Sequence, residues 1–257
     1  MKRKIYLFVV CLMFAKMSFA VTLTQNFDVH IGIFDAAQVV FQYQYDGLHF
    51  YTKADINTEN LFDTLYPFKG RYESWGRVNN SKVLPENYQT KTQSRHHIRT
   101  KKILYNRQGI AYKRISTKDE KRGEAAIVNV PKTADAADLQ SVFAELIMQF
   151  SKTGSCKLQK EIYDGKKYYR LISEDGETQK RYFDYNKTTY EAHLCSVYLE
   201  NLKNNNDNIL WDVSADKPIN LWVKTDEQTK IPVVLEIGID STPLGALKVI
   251  PTTVEIK

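Results

Sequence analysis

Five histidines, two cysteines beyond the first twenty residues and many carboxylates are the side chains of this 257-residue chain suited to acid–base, nucleophilic or metal chemistry. The histidines are His30, His49, His96, His97 and His193. No two have the spacing of a helical zinc site, and adjacent His96 and His97 would face opposite sides of a strand. Cys156 and Cys195 each lack a CxxC partner, which argues against a redox-active or zinc centre. There is no GxSxG elbow, no phosphate-cradling glycine loop and no dinucleotide fingerprint. A glycosidase pair is defined by separation in space, which linear spacing does not show. These residues give no catalytic, cofactor or metal site to assign, and the chain reads as not an enzyme.

The other stretch with chemical promise is "LFDTLYPFKGRYESWG" at residues 61–76, where aromatics mix with acids and bases. It is either a binding surface or a crease between two elements. Thr58 suits a helix cap, Leu61, Phe62, Leu65 and Tyr66 form an apolar face, and Pro67 stops the helix. After Lys69-Gly70 the period becomes two, with Arg71, Glu73, Trp75 and Arg77 on one side and Tyr72, Ser74, Gly76 and Val78 on the other. The mixed side lines a groove or forms a cross-strand ladder on a solvated face, and the ladder is preferred.

These residues sit in a chain dominated by alternation. Phe27, Val29, Ile31 and Ile33 share one strand face; Val39, Phe41, Tyr43 and Tyr45 share another. Asp46-Gly47 and Asp164-Gly165 suit tight two-residue hairpins. Further strands are expected over 88–100, 102–105, 110–115, 190–199, 219–224, 231–239 and 246–256, which makes a large antiparallel sheet. A second helix is expected over 136–150, capped by Asp135 with Asp138 as the reaching acid. Its apolar stripe is Leu139, Val142, Phe143, Leu146, Ile147 and Phe150; its polar face is Asp138, Gln140, Glu145 and Gln149. Such a helix plugs or covers a sheet that cannot close on itself.

Residues 1–20 carry Lys2, Arg3 and Lys4, then an apolar run and "SFA", the pattern of a secretory signal peptide cleaved after Ala20. The run is too short for a membrane span, which needs about 20 apolar residues, and Lys16 interrupts it. The formal net charge is +6; four basic residues and no acid belong to the leader, leaving +2 on residues 21–257. A balanced surface offers no general electrostatic case for nucleic acid. The basic stretch "KTQSRHHIRTKKILYNRQGIAYKRISTKDEKR" is a patch for anionic lipid, phosphate or polysaccharide, or a solvated strand face whose charges discourage edge pairing; the second reading is preferred. The remaining 237 residues can bury a sizeable core as one β-rich domain, without a linker or repeat. Two cysteines in an exported chain favour a Cys156–Cys195 disulfide over two buried thiols. Closing a loop of about 40 residues would contribute about 3–4 kcal/mol.

Three stretches resemble an exported bacterial family, domain of unknown function 3108. They are "LYPFKGRYESWGRV", the run from Cys156 through "EIYDGKKYYRL" to Cys195, and "PINLWVKTDEQTKIPVVLEIGIDSTPLGAL". The resemblance spans residues 27–256 and supports the Cys156–Cys195 pairing. It implies a periplasmic envelope protein whose antiparallel sheet curls into an open spiral or half-barrel, with one of two short helices on the concave face, similar to lipoprotein-carrier sheets. The asparagine-rich segment 204–208 departs from the family pattern. The family brings no catalytic residues to carry over. The expected function is a non-enzymatic envelope protein. It would hold a lipid, lipoprotein or other envelope component in a groove lined by Phe41, Tyr43, Phe68, Arg71 and Trp75, or act as a structural or interaction module. The alternative is an envelope hydrolase with a carboxylate or histidine site that no linear motif marks. Oligomeric state is not legible.

Overall fold

The computed structural model describes residues 20–119, 121–126, 136–165, 168–202, 217–242 and 244–257. The leader before Ala20, Asp135 and the asparagine-rich segment lie outside the described residues. In the first half are β1 (Val21–Ile31), β2 (Phe34–Tyr45), β3 (His49–Thr58), α1 (Asn60–Leu65), β4 (Phe68–Asn79), β5 (Lys82–Ser94), β6 (Ile98–Tyr105), β7 (Ala111–Lys118) and β8 (Lys121–Ala126). In the second are α2 (Leu139–Thr153), β9 (Leu158–Tyr163), β10 (Tyr168–Phe183), β11 (Thr188–Asn201), β12 (Ile219–Thr225), β13 (Pro232–Thr242) and β14 (Gly245–Ile256). Among the described residues, all 14 strands form one antiparallel sheet, ordered β8 to β1, then β14 down to β9. The strands first and last in the chain pair at its middle, and β8 and β9 are the two ends, so the sheet is not closed into a barrel. No helix among the described residues is long and apolar enough to cross a membrane.

Alternation sets the sheet's faces, because successive side chains point to opposite sides. Leu23, Tyr43, Thr52, Ser74, Tyr88 and Ile103 are cross-strand partners on β1 to β6, and all are buried. This row marks the concave face. Several local expectations are corrected. Ile33 does not continue the β1 face: Gly32, at φ 59°, turns the chain, and Ile33 is 93% exposed at the tip. Asp46-Gly47 lies in a three-residue connection, with the Asp46 carboxylate accepting from the Leu48 and His49 N–H groups. The expected 88–100 strand is two strands, broken by the turn at 95–97. Thr58 does not cap α1; its hydroxyl accepts from Phe68 N–H at 2.8 Å, tying the two ends of the helical crossing together.

Helix α2 fills the concave side. It starts three residues later than the periodicity suggests, because Asp138 is its cap, accepting from Ser141 N–H at 2.9 Å. It ends at Gly154, whose left-handed conformation (φ 68°) closes the last turn. Ala144 and Met148 pack on Leu23, Tyr43 and Phe50, while Leu146 and Phe150 pack beside the Cys156–Cys195 pair and Val223. Phe143 meets Phe41 edge-on at 6.4 Å. The helix thus contacts strands from both halves of the sheet, so part of its polar face is buried too. Gln140 and Ser141 are inside, and Glu145 pairs with Lys160 at 2.8 Å.

Asp138 is fully buried. Its Oδ2 accepts from the hydroxyls of Ser141 at 2.7 Å, Ser74 at 3.0 Å and Tyr105 at 3.2 Å. The cap therefore also joins α2 to β4 and β6. The two ends of the sheet meet nearby. The segment 136–138 hydrogen-bonds the outer edge of β9 through Ala137. The β9–β10 turn tucks against β6 and β7, where Lys101 and Arg114 donate to the carbonyls of Asp164 and Gly165. Tyr163 and Tyr168 stack at 4.6 Å within the same cluster as Ile103, Tyr105 and Ala111. Beyond an irregularity at residues 175–178, the far part of the β10–β11 hairpin builds a separate small core with Phe183, Ala192, Trp222 and Leu235.

Burial raises the Asp138 carboxyl above its ordinary range, against the lowering pull of its hydroxyl and N–H donors. The folded protein then holds this proton to higher pH than the unfolded chain does. The group's contribution is greatest below about pH 4 and declines as pH rises through the elevated folded-state value. Chemical denaturation of wild type and Asp138→Asn across pH should give a wild-type-minus-variant stability difference that falls from about pH 4 upward and then levels. A flat difference would remove the raised carboxyl from the account.

Candidate functional site

The second half of the sheet brings together polar groups from three elements. His193 and Cys195 alternate on β11 and so share a side. Their partners on β10 are Thr178 and Asp175, with the irregularity between these two placing both beside His193. The chain leaving α2 then brings Ser155 and Cys156 against Asp175.

Asp175 is the hub. It accepts from Cys156 N–H at 2.7 Å, Ser155 Oγ at 2.5 Å and His193 Nε2 at 2.9 Å. Burial opposes its ionisation, but these three donors outweigh it and hold the carboxyl below its ordinary range. An ionised Asp175 only accepts, so the proton between the two groups sits on His193 Nε2. In the neutral imidazole, Nδ1 is then an acceptor for the Thr178 hydroxyl at 2.9 Å. The result is a hydroxyl–imidazole–carboxylate relay. Phe150 packs on the imidazole with ring centroids 5.6 Å apart.

Thr178 and His193 line a cleft of about 830 Å³ at the C-terminal end of α2. Tyr190, Glu191, Lys224 and Asp226 complete a polar wall, with the Lys224 ammonium 4.2 Å from the centre of the Tyr190 ring. Beneath lies the Cys156–Cys195 disulfide, its Cα atoms 5.9 Å apart and both residues buried. One ligand atom from each of Cys156, Cys195 and His193 falls within 4.8 Å of the others, but the two sulfurs are bonded together and offer no thiolate.

The five residues expected to line a groove are divided between two faces. Phe41 and Tyr43 are on the concave side, under α2. Phe68 has the same parity on β4, and its ring closes with Tyr72 over Gly70, where a Cβ would meet both rings within 3.0 Å. Arg71 and Trp75 lie on the convex side. There Arg71 pairs with Asp55 at 2.6 Å and Glu73 accepts from Tyr51 and Gln89, each at 2.7 Å. Arg77 pairs with Glu86 at 2.6 Å. This is the cross-strand ladder, and no single groove takes all five residues. Sequence reasoning missed Asp175, Thr178 and the role of His193. The only linear signal was the i, i+2 spacing of His193 and Cys195.

Replacing Cys195 by Ser in protein beginning at Val21 should leave one thiol titratable after unfolding, against none in wild type. It should also lower stability by about 2–4 kcal/mol, read from a denaturant melt. Two thiols in unreduced wild type would exclude the disulfide.

A crystal structure described as a beta-barrel-like protein of domain of unknown function DUF1849 from Brucella abortus shares the fold. Its TM-score is 0.53 at 10% identity, over 92% of this chain and 98% of that one. No curated protein matches the chain. The family described as "Protein of unknown function (DUF3108)" matches residues 26–248, most of the strand order set out above, and the chain belongs to that family.

Proposed function

We propose that this is an exported, periplasmic envelope protein that works as a non-enzymatic structural or interaction module. The observation that carries the reading is the seating of α2. The concave side of a curled sheet is where a lipid or lipoprotein acyl chain would lie, and here Val142, Ala144, Met148 and the Asp138 cap occupy it. A helix held by core packing and by the Ser74 and Tyr105 hydroxyls that reach its cap is costly to displace, since opening it would break both contacts and leave those buried hydroxyls without their acceptor. Export is supported by the leader pattern of residues 1–20 and is compatible with the disulfide.

Protein exported in its own cells, purified gently and weighed by native mass spectrometry should have the bare mass of residues 21–257 less two hydrogens. That mass should not change on organic extraction. A reproducible excess that extracts as lipid would overturn the filled-groove reading and make the concave side a carrier.

The relay favours a second reading, an envelope hydrolase acting at the cleft. Thr178 would be the nucleophile, His193 its base and Asp175 the group orienting the imidazole. Hydrolysis of nitrophenyl esters and glycosides by wild type, falling about a hundredfold or more in His193→Gln at unchanged fold, would establish it. Equal rates for the two proteins would leave Asp175 and His193 as a clamp on the disulfide loop.

A further inference from the structure

Antiparallel strands send alternate turns to opposite rims of the sheet, and here the two rims differ in chemistry. One rim carries the turns at 46–48, 80–81, 106–110 and 226–230, which are rich in Asp, Asn, Gly and Ser as turns ordinarily are. Leu48, and Tyr112 just after the 106–110 turn, are the large side chains exposed there. The other rim carries the β1–β2, β5–β6 and β13–β14 turns and α1. At these tips Ile33 is 93% exposed, Tyr66 72% and Leu244 65%, joined by Leu61, Leu65 and Ile98. Tips facing only water would not be expected to concentrate such residues.

These tips form a connected arc. The Leu244 carbonyl lies 3.0 Å from where a Cβ on Gly32 would be, placing the β13–β14 turn against the β1–β2 turn. Phe34, just after Ile33, meets Phe62 of α1 edge-on at 6.5 Å. Arg95 of the β5–β6 turn donates to the Thr64 carbonyl of α1. The Asp119 carboxylate beside β7 accepts from Ile98 N–H at 3.0 Å. At this end of the arc Arg95, His96, Arg99, Lys118 and Lys121 are exposed. Among the rim's acids, Asp35 and Asp119 each face a histidine, His30 at 2.8 Å and His97 at 2.7 Å, while Asp63 of α1 and Asp240 near the β13–β14 turn are exposed.

We propose that this rim docks on the surface of an anionic lipid bilayer. The apolar side chains project singly from separate turns, as prongs suited to insertion among headgroups rather than as a flat patch suited to a protein. Tyr66 has the amphipathic ring favoured at a membrane interface. The basic turn beside the prongs supplies attraction to anionic headgroups. Docking here leaves the concave side and the cleft untouched, so it does not depend on what either of them holds.

The test is co-sedimentation of protein beginning at Val21 with phosphatidylethanolamine vesicles containing phosphatidylglycerol. Wild type should pellet with these vesicles and less with phosphatidylcholine alone. The double variant Ile33→Asp, Leu244→Asp should partition at least about tenfold more weakly at an unchanged melting temperature, since both side chains are already exposed. Arg99→Glu with Lys118→Glu should weaken binding and flatten its salt dependence. Leu48→Asp on the opposite rim should bind as wild type does. Wild type left in the supernatant, or equal losses from the two rims, would overturn the proposal. So would a wild-type dimer that Ile33→Asp, Leu244→Asp turns into a monomer without any vesicle binding, because the rim would then be a contact between copies of the chain.

Discussion

A curled sheet that does not close must fill its concave side, and the way α2 meets that demand governs the rest of this structure. A fifteen-residue helix brings backbone N–H groups at its first turn that have no partner within the helix. Burying them uncapped would cost about 1–3 kcal/mol each. Asp138 satisfies one N–H directly, and its negative charge would suit the positive end of the helix dipole. A lone carboxylate is itself expensive to bury, so it has to be met in turn by Ser74, Ser141 and Tyr105. This explains why Ser74 sits in the middle of an otherwise largely apolar cross-strand row, since an apolar residue there would take a donor from the cap; its neighbour Thr52 donates instead to the Gln140 carbonyl in the first turn of α2.

The sheet was legible because period-two alternation records which face is buried, and β2, β4 and the strands around Cys195 carry it cleanly. The first failure came at strand ends. Ile33 has the parity of Phe27 and Ile31, and only the conformation of Gly32 shows that the chain has already turned. The second came at α2. Asp138 and Gln140 read as part of a polar face because polarity normally marks the outside of a helix; here the helix is surrounded, both residues are buried, and the Asp138 carboxylate meets Ser74 of β4. The third was the relay. Asp175 and His193 are eighteen residues apart, and the register shift that joins them depends on one extra residue in β10, which no local pattern announces.

The ladder on the convex face shows the same limit from the other side. Arg71, Glu73, Trp75 and Arg77 were legible as one face, but a mixed charged and aromatic row suits a ligand as well as it suits cross-strand neighbours. Asp55 opposite Arg71, and Tyr51 and Gln89 reaching Glu73, decide for neighbours. Such exposed pairs contribute little to stability, about 0–1 kcal/mol each. Their charges still keep this face of a very large sheet from presenting an apolar surface to other sheets.

With one face occupied by its own helix and part of the other by a charge ladder, a sheet of this kind has its most accessible chemistry where strands end. Turns tolerate substitution far better than the concave row, since they carry neither the cap's donors nor the core packing. The two rims have diverged accordingly. One keeps ordinary polar turns and, at the end of α2, a cleft with an oriented histidine; the other gathers apolar tips beside a basic turn. The disulfide sits between α2 and β11, beneath the cleft, and anchors the segment that links the plug to β9. Changes at either rim can therefore be made without disturbing the plug, so a loss of function there at an unchanged melting temperature would separate recognition from folding.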